Sequence, residues 1–130
     1  MSGLVGDAVE ALHRLAVDQA PDAIIATDLQ GSITIWNRAA TELFGYGRDE
    51  VLGRSLDIII PERFRQAHWE GFRKAVASGS TKHRGRAMKT RAQSKSGEKC
   101  YVDFAFSLLR GREGTVIGTV ATARKAVDNP

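Results

Sequence analysis

The sequence predicts an α+β domain, in which five antiparallel strands form one sheet and helices cover one face of it. Within residues 98–109, every second residue from Val102 to Leu108 is apolar, which is the pattern of a half-buried strand. Turns that contain glycine separate this segment from other strand-like segments, whereas the residues after Pro61 have helical apolar spacing. Strands grouped apart from helices are typical of α+β domains.

The N-terminal part of the chain is predicted to be an amphipathic helix followed by a β-hairpin. The helix covers residues 7–19, with Asp7 as its N-cap and Pro21 just after its end. Gly31 lies in the hairpin turn, where a positive φ is needed. Two short apolar segments provide the strands of the hairpin: 23–28 and 32–37.

Short helices and one longer helix occupy the middle of the chain. Glycines interrupt the helical pattern often, so we expect separate short pieces: 38–44, 49–52 and 55–59. Pro61 opens the longer helix, which runs to about Ala77. Its apolar stripe includes Phe64 and Phe72, and His68 lies on this stripe, four residues from each of them.

Three strands complete the predicted sheet. They lie within 83–93, 98–109 and 115–123. The predicted organisation is therefore an N-terminal helix, a single domain and a short C-terminal tail: 1–20, 21–124 and 125–130.

Composition narrows the class of protein. With 130 residues, 42% hydrophobic and 26% charged, the chain fits one globular domain. It has no run of about 18 apolar residues, as a membrane helix requires, and its first residues lack the features of a signal peptide. A single cysteine cannot form an internal disulfide. We therefore expect a cytoplasmic protein with no membrane segment.

Basic residues are concentrated in residues 63–95, which hold ten Lys or Arg and one acid, Glu70. This charge predicts an anionic partner. Nucleic acid is one alternative, but the segment contains no known nucleic-acid motif. Its aromatic residues, Phe64, Trp69 and Phe72, fall mainly on the buried side of the predicted helix rather than on a stacking surface. We expect a solvated basic face and no nucleic-acid partner.

Several motifs together resemble the PAS family of sensor domains. They are the segment APDAIIATDLQGSITIWNRAATELFGYGRDEVLGRSLDIIIPERFR and the later segment SKSGEKCYVDFAFS. The resemblance covers about residues 12–124. It implies a five-stranded antiparallel sheet that encloses, with the helices, a pocket for a small ligand or cofactor. It also implies signalling to an effector domain or partner protein. We expect no enzymatic activity, because the sequence has no nucleophile motif, metal-ligand spacing or Gly-rich phosphate loop.

Within this family, the chain resembles the haem-binding branch of rhizobial oxygen-sensor kinases and oxygen-sensing phosphodiesterases. Those proteins carry their proximal histidine in an Arg-x-x-His run on the longer helix, and the matching residues here are Arg65 and His68. The resemblance thus implies His68 as the iron ligand of haem b. Phe104 and Phe106 resemble the wall of the distal side.

The distal ligand is open between two residues. Met88 stands where one group has an oxygen-contacting arginine, and Arg86 where the phosphodiesterases have a methionine ligand. Either Met88 caps the iron or Arg86 stabilises bound oxygen, and their common strand parity lets both face the pocket. Lys74 and Lys82 are candidate partners of the haem propionates.

Haem is an alternative to a pocket that holds another small ligand or none. A histidine on an apolar stripe also fits a packed core residue, and the aromatic residues also fit a pocket that holds another small ligand or none. Flavin photochemistry is not expected, because Leu56 stands where the resemblance places the reactive cysteine. The N-terminal helix has more apolar residues than a helix that only covers the domain would need. The family resemblance suggests that a homodimer forms through these residues, which are Val5, Leu12, Leu15 and Ala16.

Overall fold

A computed structural model describes residues 2–127, with side chains from residue 6 onward. Along the chain, its helices and strands are α1 (Ser2–Asp18), β1 (Ala23–Thr27), β2 (Ile33–Trp36), α2 (Arg38–Phe44), α3 (Arg48–Val51), a 3₁₀ helix (Leu56–Ile59), α4 (Glu62–Ser78), β3 (Met88–Gln93), β4 (Lys99–Arg110) and β5 (Val116–Lys125). The strands form one antiparallel sheet in the order β2-β1-β5-β4-β3. The predicted α+β class and five-stranded sheet are confirmed.

Among the boundaries that differ from the predictions are the start of α1 and the end of β5. Asp7 was expected to cap the first helix, but it lies inside α1, which begins at Ser2. A glycine inside a helix costs only about 1 kcal/mol relative to alanine, so Gly6 does not end the helix. At the other end, β5 continues through Lys125, one residue into the predicted tail. Residues 128–130 of that tail and the side chain of Val5 lie outside the described part of the structure.

Asn37 joins the N-terminal elements. Its side-chain Oδ1 accepts hydrogen bonds from the backbone N–H of Ile24 at 2.8 Å and of Ala40 at 3.1 Å, so it caps α2. Its Nδ2 donates to the carbonyl oxygens of Val17 at 2.8 Å and Asp22 at 3.0 Å. Buried polar groups require such partners, and these four bonds attach the end of α1 to β1 and α2.

The main core lies between the concave face of the sheet and the short helices. Its largest buried side chains include Trp36, Phe44 and Ile25. Trp36 Nε1 donates hydrogen bonds to Thr41 Oγ1 and to the carbonyl of Tyr46, both at 3.1 Å. The core extends to Ala92 of β3 and Val102 of β4, and α4 packs beside it, with the centroid of the Phe72 ring 6.3 Å from that of the Phe106 ring of β4.

Both ends of α4 are held by arginine side chains. At the N-terminal end, Arg65 donates to the carbonyls of Ile60 at 3.0 Å and Asp57 at 3.2 Å. At the C-terminal end, Arg110 donates to the carbonyl of Gly79, the left-handed cap of α4. A cation at this end is favourable because it opposes the negative end of the helix dipole. The position of α4 over β3 and β4 is therefore fixed at both ends.

Candidate functional site: a cavity between α4 and the sheet

A cavity of about 560 Å³ lies between α4, the 3₁₀ helix and strands β3 and β4. This volume is within the range of small-molecule sites, which is about 300 to 1,000 Å³. Its walls are mainly apolar and include Leu56, Ile59, Phe72, Val102 and Phe104. Among the described residues, no Asp or Glu lines this cavity. The site is therefore suited to a ligand with a large apolar body.

His68 lies on the cavity wall, as the sequence predicted. It is half-buried between two aromatic rings, with centroids 4.6 Å from the Trp69 ring and 6.2 Å from the Phe72 ring. Burial lowers the pKa of the His68 imidazole, and the charge of Asp57 opposes this in part. Its Nδ1 is buried without a hydrogen-bond partner among the described residues. Burial thus favours the neutral imidazole, and because Nδ1 is fully buried, a ligand in the cavity would have to bind the other ring nitrogen, Nε2.

Most of the other candidate residues also lie at the cavity. The structure brings Arg86, Met88, Phe104, Phe106 and Lys82 to the same cavity as His68. Met88 is opposite Phe104 in the β3–β4 ladder, on the concave face. Arg86 reaches the cavity from the loop before β3, so the argument that gave it the strand parity of Met88 is wrong.

Lys74 is not brought to the cavity. It is exposed on α4 and is not among the residues that line the cavity. Six residues of α-helix rotate a side chain about 240° from His68, so Lys74 faces another direction. A sequence spacing that matches a family does not by itself give the rotation of a residue about the helix axis.

Two features of the site were not predicted. Arg91 lines the cavity, although the alternation of β3 places it opposite exposed Tyr101. Asp57 Oδ1 accepts a 2.6 Å hydrogen bond from Trp69 Nε1, next to His68. The high density of basic residues in 63–95 was a signal for Arg91, whereas no local pattern pairs an acid with a tryptophan twelve residues away.

The family model of the PAS fold matches residues 11–126. The chain belongs to the PAS family. A solved PAS domain of a protein from Colwellia psychrerythraea superposes with a TM-score of 0.77 and 22% identity, covering 91% of this chain and 97% of that one. The cavity of this chain lies between the helices and the sheet, where the sequence resemblance predicted a pocket.

Two curated relatives are sensor proteins. The oxygen sensor protein DosP of Escherichia coli is 29% identical over 101 residues, which are 78% of this chain and 13% of DosP. The sensor protein FixL of Bradyrhizobium diazoefficiens is 40% identical over 48 residues, 37% of this chain and 10% of FixL. The chain therefore spans about a tenth of the length of these relatives.

The residues of the cavity fit a haem group. An iron porphyrin needs an apolar cavity and a neutral imidazole that reaches its iron, and His68 is the cavity histidine that burial keeps neutral. Because Nδ1 of this ring is fully buried, Nε2 is the nitrogen that an iron atom in the cavity would bind. Cationic side chains at the rim, such as Lys82 and Arg86, suit acidic substituents.

No helix in the described range 2–127 has the length and apolar character needed to cross a membrane.

Proposed function

We propose that this PAS domain is the sensory module of a longer signalling protein and that its cavity binds haem b through His68. The observation that carries the proposal is the half-buried His68 imidazole, which lines an apolar cavity of a size that holds small molecules. The similarity to an oxygen sensor protein and to a second sensor protein supports the same role. When bound, haem supplies an iron centre that responds to a gas or to redox state.

The cavity residues would have different roles in such a site. His68 binds the iron and is kept neutral by burial. Phe104 and Phe106 form an apolar wall that excludes water. Met88, on the concave face of β3, is available as a second ligand, whereas Arg86 in the preceding loop is available to donate a hydrogen bond to a bound gas.

The test is to titrate the purified protein with haemin while the visible spectrum of the mixture is recorded. We expect a sharp Soret band at one haem per chain in the wild type and a broadened, shifted band in His68→Ala. His83→Ala, at an exposed histidine that also lines the cavity, is the matched control and should leave the spectrum unchanged. Haem uptake with identical spectra in wild type and His68→Ala would refute His68 as the ligand, and absence of uptake would refute the haem proposal.

The signal is proposed to leave the domain through α1, in a homodimer. Val9, Leu12 and Leu15 are exposed on α1 by 42%, 64% and 51%, and such an apolar stripe is stabilised when a second helix or a sheet covers it. Ligand binding would shift a two-state equilibrium of this interface or of an attached effector. In this proposal the domain itself is not catalytic, and the single cysteine fits a reducing cytoplasm.

Light scattering of the purified protein tests the dimer. Leu12→Asp puts a charge into the proposed interface and should convert dimer to monomer at micromolar concentration. Arg14→Gln, two residues away and facing the other side of α1, is the control and should keep the dimer. A wild type that is monomeric at all concentrations would refute this part of the proposal without affecting the haem site.

A further inference from the structure

Two side-chain nitrogens in the described part of the chain are buried without a hydrogen-bond partner: Nδ1 of His68 and Nε of Arg91. Both residues line the same cavity. Buried polar groups are rarely left unpaired in folded proteins, and an exception calls for a specific explanation. An iron atom bound at Nε2 of His68 would leave both of these nitrogens unpaired, and Arg91 also carries a charge that the proposed iron site does not explain.

Arg91 reaches the cavity because it lies on the edge of the sheet. In the β3–β4 ladder it is opposite Tyr101, whose side chain is 48% exposed. However, β3 is the edge strand, and Cζ of Arg91 lies 6.0 Å from the centroid of the Phe64 ring on α4. Phe64 also lines the cavity. The guanidinium group is therefore close to the point where the first turn of α4 meets the edge strand.

The charge of Arg91 has no protein counterion among the described residues. It forms none of the ion pairs found there, and no Asp or Glu in that part of the chain lines the cavity. A guanidinium group stays protonated at any physiological pH and cannot neutralise itself when it is buried. Because Nε is fully buried, an acid in the cavity would meet the terminal nitrogens of Arg91, and this pairing would offset the cost of holding the charge partly out of water.

We infer that Arg91 binds an acidic group of the cavity ligand. The ligand is then an amphipathic acid, with an apolar body against the cavity walls and a carboxylate at the edge of β3. A planar guanidinium matches a carboxylate with two parallel hydrogen bonds. This inference rests on the proposed function, because it assumes that the cavity holds a ligand. Haem carries two carboxylates and belongs to this chemical class, as do fatty acids.

The experiment compares haemin with haemin dimethyl ester, in which the carboxylates are blocked. We expect the wild type to bind haemin about tenfold more tightly than the ester, a difference of about 1.4 kcal/mol. Arg91→Gln should reduce this preference by weakening haemin binding alone, with Lys82 and Arg86 keeping the remainder, and Arg91→Lys should keep more of it. In His68→Ala the spectrum should change but the preference should remain.

Arg63→Gln is the matched control. The guanidinium of Arg63 lies 4.7 Å from the centroid of the same Phe64 ring, but Arg63 is exposed and does not line the cavity. It should therefore keep the full preference for haemin. Equal losses in Arg63→Gln and Arg91→Gln, or an unchanged preference in Arg91→Gln with a wild-type unfolding midpoint, would overturn the inference.

A second pair of ligands tests the role of Arg91 even if the protein does not bind haem. If the wild type binds neither haemin nor its ester, the same variants are tested with palmitate and methyl palmitate. A preference for palmitate that Arg91→Gln abolishes would support the role of Arg91 while refuting haem. If the wild type does not prefer the free acid in either pair, the inference is wrong.

Discussion

The indole Nε1 of Trp69 donates a 2.6 Å hydrogen bond to the carboxylate Oδ1 of Asp57, and this bond joins α4 to the 3₁₀ helix. The indole also packs against the hairpin turn at Gly31. Trp69 is the neighbour of His68 in the sequence, and their rings are nearly perpendicular. Because Trp69 is held from two sides, α4 cannot rotate about its axis, and His68 keeps its orientation toward the cavity.

Trp69→Phe is expected to destabilise the protein. The substitution keeps an aromatic ring but removes the donor, so the half-buried Asp57 carboxylate loses its bond to Trp69. Hydrogen bonds to charged groups contribute about 1.5 to 3 kcal/mol, and we expect a loss near the lower end of this range in urea unfolding. Asp49→Asn, at an exposed acid, should change stability by less than about 0.5 kcal/mol. Equal effects of the two substitutions would contradict the role of this bond.

Gly31→Ala is expected to cost more than an ordinary glycine substitution in a turn. Gly31 has φ of 82°, and a Cβ atom there would overlap the Trp69 ring. Gly97 has φ of 85° but no atom within 4 Å of such a Cβ, so Gly97→Ala measures the backbone cost alone. That cost is about 1 kcal/mol. Urea unfolding should show a clearly larger loss for Gly31→Ala, and equal losses would mean that the indole moves freely.

The stability of the ligand-free protein is expected to depend on pH through His68. Burial lowers the pKa of His68 in the folded state, so the unfolded chain binds its proton more readily. The contribution of the neutral ring is complete above the unfolded value of about 6.5 and is lost as the pH falls through the lower folded value. Unfolding free energies of wild type and His68→Gln should therefore converge or cross between pH 7.5 and 5. A constant difference would contradict the lowered pKa.

Gly71→Ala is expected to stabilise α4. Gly71 lines the cavity, and a Cβ atom there would meet no atom within 4 Å. Alanine inside a helix is favoured over glycine by about 0.5 to 1 kcal/mol, so the thermal midpoint should rise. Gly79→Ala should have the opposite effect, since Gly79 caps the same helix with φ of 75°. A loss of stability in Gly71→Ala would show that the cavity lacks this space.

Patterns among neighbouring residues predicted the parts of the fold that depend only on neighbouring residues. The apolar alternation around Val102 correctly predicted β4, and Gly31 correctly predicted the turn between β1 and β2. Alternation of faces in a strand and a positive φ in a turn are both set by residues close together in the sequence. Helical spacing placed His68 on the apolar stripe of α4, and the family resemblance placed it at a pocket, where the structure has it. Arg91 was missed because alternation assigns it to the far face, and only its place on an edge strand lets the side chain reach the cavity.

The four hydrogen bonds of Asn37 make the last turn of α1 a pivot. Side chains from residue 6 to residue 16 of this helix are exposed, whereas the carbonyl of Val17 is held by Asn37. A 17-residue helix is about 25 Å long, so a tilt of about 10° at the pivot displaces its far end by about 4 Å. A change too small to disturb the core would thus become a movement large enough for a second protein to detect.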